Sequence, residues 1–114
     1  PNDGKYDVVR DIEGAISTEF LGAITPTSAA HATEVGQTTV TMAAGAGQGN
    51  TLYYKTGVDA PAPLYGDKVD STWTAFTSPV SFKPTATHLH ITTVEAVTAT
   101  GFILKSGTTA LTVL

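Results

Sequence analysis

The apolar positions of this 114-residue chain change their spacing near residue 37. Upstream, Val8, Ile12, Ile16, Phe20 and Ile24 recur at every fourth position, and Val9 and Leu21 widen the stripe. A period close to 3.6 predicts an amphipathic helix within residues 8–20. Asp7 stands where a helix N-cap accepts from the first free amides, and Asp11 and Glu13 put negative charge near the positive end of the dipole. Gly14 and Gly22 oppose the helix by up to about 1 kcal/mol each. Pro26 ends any helix by Thr25, because proline disfavours the helical region for the residue before it. The same residues also permit strands at 14–20 and in the run that follows. Residues 27–36 are small or polar with no period, which reads as an extended linker of the sort that lies against a partner.

From residue 37 the period is two. Val40 and Met42 alternate with Thr39 and Thr41, the pattern of a half-buried strand. A glycine-rich turn, Gly45-Ala46-Gly47-Gln48-Gly49-Asn50, is expected to reverse the chain into Thr51-Leu52-Tyr53-Tyr54-Lys55-Thr56, forming a hairpin whose second strand is central to the domain. Leu52 and Tyr54 share one face of that strand, Tyr53 and Lys55 the other. After a loop containing Pro61 and Pro63, strands are predicted at 71–76, 80–82 and 88–92, the last with Leu89 and Ile91 inward. Val94 and Ala96 fall on the opposite parity, which predicts a bulge near Thr93 that re-phases the strand. Residues 101–105 and 110–114 are predicted to form a closing hairpin around Ser106-Gly107.

Seven strand-like runs punctuated by Gly and Pro describe a mainly β fold, a small immunoglobulin-like or jelly-roll-like sandwich or barrel. The expected organisation is an N-terminal arm with a short helix and linker over residues 1–36, then a β-sandwich domain over 37–114.

Composition narrows the function. Charged residues make up 14% of the chain, against about 25% in an average soluble protein. Thr and Ala fill the difference, which suits half-exposed sheets and leaves surface free for protein contact. Six Lys and Arg in a chain of net charge −4 give no basic patch, so no nucleic-acid partner is expected. No apolar run reaches the ~20 residues a membrane helix needs, and no membrane partner is expected. The absence of cysteine excludes disulfides and thiolate metal sites.

No catalytic pattern emerges. His88 and His90 share one strand face, but zinc needs three or four converging ligands, and the remaining histidine, His31, sits in the expected linker. They read as solvent-facing strand histidines. Gly45, Gly47 and Gly49 precede a Tyr-rich strand, not a helix N-terminus or a Gly-Lys-Ser/Thr ending, so a turn is expected in place of a phosphate cradle. No Gly-x-Ser-x-Gly elbow is present, and Asp67, Asp70 and Glu95 form no recognisable acid pair. The chain is therefore expected not to be an enzyme and to need no cofactor or metal. Tyr53, Tyr65 and Trp73 are candidates for a sugar-stacking or protein-contact platform, with Trp73 and one Tyr also suited to filling the core. The helical stripe suits packing on its own domain or docking on a neighbouring subunit. The candidate partner contacts are Tyr6, Val9, Ile12, Ile16, Phe20, Tyr53 and Tyr65.

The layout from Thr38 onward resembles small β modules in the virions of tailed bacteriophages, above all capsid decoration or head-stabilisation proteins. The resemblance is carried by the Thr-rich strand 38–42, the run Gly47-Gln48-Gly49-Asn50-Thr51-Leu52-Tyr53-Tyr54-Lys55-Thr56-Gly57, and the loop Pro63-Leu64-Tyr65-Gly66-Asp67. Trp73-Thr74-Ala75-Phe76, the strand 90–96 and the expected Gly-containing final hairpin complete it, over about two-thirds of the chain. It implies a non-enzymatic virion structural protein, made in the host cytoplasm, that works as a homo-oligomer. Its implied partners are the major capsid protein or other virion subunits, with the N-terminal segment reaching onto the lattice. The resemblance does not account for the N-terminal helix. The run 52–56 followed by Pro61 and Trp73 also looks like immunoglobulin-like accessory modules of secreted carbohydrate-active proteins, which implies the alternative of a carbohydrate-binding or adhesin-like module.

Overall fold

The computed structural model describes residues 21–59 and 62–114. Among them eight strands form two sheets, and no helix occurs. In chain order the strands are β1 (Gly22–Ala23), β2 (Pro26–Ala30), β3 (Thr38–Met42), β4 (Asn50–Gly57), β5 (Thr74–Phe76), β6 (Val80–Phe82), β7 (His90–Val97) and β8 (Ile103–Ala110). One sheet has the order β1-β8-β7-β4-β5 and the other β2-β3-β6. All ladders are antiparallel except β1–β8, where Gly22 and Ala23 run parallel to Lys105 and Ser106. The mainly β architecture expected from alternation is present. The helix expected at residues 8–20 lies outside the described residues, but Leu21 to Ile24, the end of its stripe, includes strand β1.

Alternation placed β3, β4 and β6 closely, and the structure corrects other expectations. Residues 27–30, read as the start of a linker, form β2 together with Pro26 and pair with β3, with Pro26 opposite Met42 and Ala30 opposite Thr38. They carry no apolar period because β2 is an edge strand, exposed along most of its length. The glycine-rich turn does not close a hairpin: β3 and β4 lie in different sheets, so residues 43–49 cross between them. β4 is an interior strand of its sheet, paired with β7 on one side and β5 on the other, and the middle place belongs to β7, buried from Ile91 through Ala96.

The burial of β7 on both faces explains the parity change that predicted a bulge near Thr93. Ile91, Thr93 and Glu95 point to one side and Thr92, Val94 and Ala96 to the other, so β7 needs no re-phasing. The irregularity occurs where Glu95 pairs with Lys105 and Ala96 with Ile103, leaving Leu104 of β8 as the extra residue. Leu89, expected inward, precedes β7 and is exposed. The hairpin expected around Ser106-Gly107 is absent, since both residues lie inside the continuous strand β8. A glycine is needed there for a different reason. A Cβ on Gly107 would fall on the Ile24 carbonyl oxygen and close to Pro26 Cδ, where the chain passes from β1 to β2.

Two apolar layers result. Between the sheets lie Val40, Met42, Leu52 and Ile91, with the Tyr54 ring stacked on Phe82 of the opposite sheet at 4.9 Å and edge-on to Phe76 at 5.5 Å. On the outer face of the five-stranded sheet, Val94, Ala96 and Ile103 form a second cluster covered by Leu21, Tyr53, Val69 and Trp73. Covering that face is the task of the long β4–β5 connection, and it decides what remains exposed.

Candidate contact surface

The β4–β5 connection is held down by short-range hydrogen bonds. Leu64 N donates to Asp67 Oδ2 (2.8 Å), Asp67 N donates to the Leu64 carbonyl (3.0 Å), and Gly66 takes a left-handed φ of 93° that closes the turn. Backbone bonds then fasten the loop to the β7–β8 turn: Val69 N to the Gly101 carbonyl (2.9 Å) and Ile103 N to the Asp67 carbonyl (3.0 Å). Asp70 begins a second turn by accepting from Thr72 N (2.9 Å), and Trp73 N donates to the Asp70 carbonyl (3.2 Å). The Thr72 hydroxyl and amide hold the exposed Asp70 carboxyl below its ordinary range. These turns consume residues 70–73, which is why β5 is shorter than the predicted strand 71–76.

The fastening leaves an apolar surface. Leu64 (73% exposed), Tyr65 (59%), Phe102 (42%) and Leu104 are large and solvent-facing, and a concavity of about 280 Å³ is lined by Tyr65, Gly66, Val97, Phe102, Ile103 and Leu104. The Lys68 ammonium sits 4.7 Å from the Phe102 ring centroid at its rim. A second apolar surface lies at the other end of the β7–β8 ladder. There Leu89 (57% exposed) and Val113 line a groove of about 260 Å³ with Pro84 and Leu111. Eight residues of β7 separate the two, roughly 25 Å at about 3.3 Å per residue.

Of the contact residues proposed from sequence, Tyr65 belongs to the first surface. Tyr53 is half-buried and packs on the outer-face cluster, so scaffolding accounts for most of its ring. Tyr6, Val9, Ile12, Ile16 and Phe20 lie outside the described residues. Phe102 and Leu104 were not anticipated, because they were read as ordinary strand residues. Leu104 faces outward as the bulge residue, and no local pattern marks that. Substituting Tyr65 with serine is expected to shift the urea midpoint by no more than about 0.5 kcal/mol equivalent, as for other exposed sites. A larger loss would place the ring in the core.

The polar groups that drew notice in the sequence are engaged locally. His88 Nδ1 is 2.7 Å from Thr56 Oγ1, His90 Nδ1 is 3.0 Å from the Val58 carbonyl, and His31 Nδ1 accepts from Thr33 N and Glu34 N. No group of three His, Cys, Asp or Glu residues converges among the described residues. Glu95 has a role the sequence did not suggest. Only 4% exposed, its Oε2 accepts from Gly47 N (2.9 Å) and Asn50 Nδ2 (2.7 Å), clamping the inter-sheet crossing. Burial pushes its pKa up, but those two donors and the nearby Lys105 charge outweigh it and hold the carboxyl below its usual range. An acid inside Val94-Glu95-Ala96 was the available signal.

Trp73 borders a polar concavity of about 330 Å³ with Lys55, Asp67, Lys68 and Asp70, and the Lys55 ammonium lies 4.5 Å from its ring centroid. No protein-family model, curated protein or solved structure matches this chain.

Proposed function

We propose that the chain is a non-enzymatic structural protein of a virion, a capsid decoration or stabilisation subunit that works as an oligomer. The observation that carries this reading is the pair of exposed apolar surfaces at opposite ends of the β7–β8 ladder, on a domain unusually poor in charge. Apolar patches with polar rims serve protein contact, and a subunit with two of them bridges neighbours. Repeated on a lattice, weak identical contacts reinforce one another through effective concentration. The strand order also supports the immunoglobulin-like over the jelly-roll form. The second and fifth strands of that fold share a sheet, as β3 and β6 do here, and the third, sixth and seventh share the other, as β4, β7 and β8 do. β1 and β2 then act as a first strand divided between the sheets.

In this reading the Leu89/Val113 groove meets the shell. Purified chain is expected to co-sediment with heads assembled from the genome that encodes it but lacking the chain, and Leu89→Ser with Val113→Ser to weaken that association at least tenfold. Both residues are about half exposed, so the substitutions leave the fold intact. Equal binding by the double variant would reject the groove, and no binding by the parent chain would reject the function.

One observation favours the carbohydrate-binding alternative: the indole of Trp73 beside a concavity with Asp and Lys side chains, the chemistry that orients a sugar. Against it, Lys55 already occupies one face of that ring. Glycan-array hits that quench Trp73 fluorescence would favour this alternative over the virion role.

A further inference from the structure

Four strands lie at sheet edges, and they are not equally protected. β1, β5 and β6 have two, three and three residues, very short edges that offer another chain little to pair with. β2 has five, Pro26-Thr27-Ser28-Ala29-Ala30, with no charge and an unbroken register against β3. Ladder geometry fixes which of its backbone groups face outward. Ala43 N donates to the Thr25 carbonyl (3.1 Å) and His31 N to the Gln37 carbonyl (3.1 Å), so in this register the odd-numbered residues bond toward β3. The N–H and C=O groups of Ser28 and Ala30 therefore point away from β3, beside the carbonyl of Pro26, which has no N–H. Among the described residues no strand pairs with that side of β2. The edge is also held in place, since Ser28 Oγ lies 2.7 Å from Thr38 Oγ1 and accepts from Thr112 N (2.8 Å).

We propose that β2 pairs antiparallel with β2 of a second copy, joining two three-stranded sheets across a two-fold axis at Ala29. The occupant is a second copy because the outward groups are self-complementary about that residue. With Ala29 opposite its own counterpart, Ser28 of each chain meets Ala30 of the other, and each pair exchanges both backbone bonds. Pro26 sets the register by falling outside those pairs. Centring on Ser28 instead would leave the Ala30 carbonyl facing a proline. β2 carries no charge, so identical strands meet without repulsion. A few backbone bonds make a weak contact alone, of the kind that repetition in an assembly reinforces. The pairing needs two copies and nothing of the virion. No residue of β2 lines either apolar surface, so both stay available to neighbours.

The chain has no cysteine, so one introduced thiol reports the contact. Ala29 is exposed, and across the axis it forms a non-hydrogen-bonded pair with Cα atoms about 4.5 Å apart, within disulfide reach. In the full chain under mild oxidation, A29C is expected to form a disulfide-linked dimer at least tenfold faster than T27C. Thr27 is exposed on the same strand face, but in this register it meets His31 of the second copy, roughly 13 Å from the second Thr27 at about 3.3 Å per residue. A30P supplies the second arm. It removes an N–H that points away from β3, so the sandwich is retained, as unchanged Trp73 fluorescence verifies. Linkage of A29C/A30P is expected to be at least tenfold slower than that of A29C. Equal rates for A29C and T27C would overturn the proposal by showing chance collision between exposed thiols. A29C that stays monomeric would overturn it outright, and linkage of A29C unchanged by A30P would overturn it by showing contact without backbone pairing. Failure of the parent chain to bind heads, with the A29C crosslink intact, would reject the virion role alone.

Discussion

Gly107→Ala is expected to destabilise the domain by about 3 kcal/mol or more, at the upper end of what overpacking costs. The added methyl would fall on the Ile24 carbonyl oxygen, with the Ile24 carbonyl carbon and Pro26 Cδ each 2.9 Å away. Backbone cannot swing aside as a flexible side chain does. Relief requires the β1–β2 crossing to lift from β8, which breaks the Ile24 N to Ser106 carbonyl bond (3.1 Å) and disturbs the contact between β2 and β8. For a domain whose total stability is about 5–15 kcal/mol, that is a large fraction. Gly45→Ala is the control, since its Cβ would meet nothing within 4 Å. Urea denaturation checks both: Gly45→Ala is expected within about 0.5 kcal/mol of the parent, as at other unencumbered surface sites. A Gly107→Ala variant as stable as the parent would show that the strand crossing is not packed as described.

Glu95→Ala is the second large effect, expected at about 2–3 kcal/mol, the range for leaving buried donors unsatisfied when the lost partner is charged. It removes the acceptor of both Gly47 N and Asn50 Nδ2 and frees the inter-sheet crossing. Glu95→Gln keeps an acceptor of similar shape and is expected to cost about 1 kcal/mol. The pH dependence carries the sharper signature. The carboxyl is held below its ordinary value of about 4.3 in the folded state. Between the folded and unfolded values the unfolded chain therefore binds more protons, and stability rises with pH. The contribution is complete above the unfolded value and is lost as pH falls through the folded one. Asp70 shifts in the same direction, so the difference between parent and Glu95→Gln isolates Glu95. That difference is expected to be constant above about pH 5 and to shrink as pH falls below about 4. A difference independent of pH would mean that the clamp does not depend on the ionised carboxylate.

Both residues show where local sequence logic stops. Alternation located β3 and β6 because each buries one face more deeply than the other, and β4 because Leu52 and Tyr54 share the inter-sheet face even though Tyr53 is half-buried on the other. It misled at β7, where burial on both faces mimics a phase shift. At Gly107 a glycine pattern suited to a turn marks a close crossing with residues more than eighty positions earlier. β2 was unreadable for the opposite reason, since an edge strand of Thr, Ser and Ala buries too little to carry a period. Of the contact surface, Tyr65 was legible because its Gly66-Asp67 turn forces exposure. Phe102 and Leu104 were not, because what turns them outward is the pairing of β8 with β7.

We propose that this chain is a subunit of a virion. Quantitative mass spectrometry of density-purified particles, made by the genome that encodes it, tests that most directly. The virion reading predicts that the chain bands with the particles in many copies per shell, at a fixed ratio to the major capsid protein. Recovery in the soluble fraction alone, with none on the particles, would contradict it.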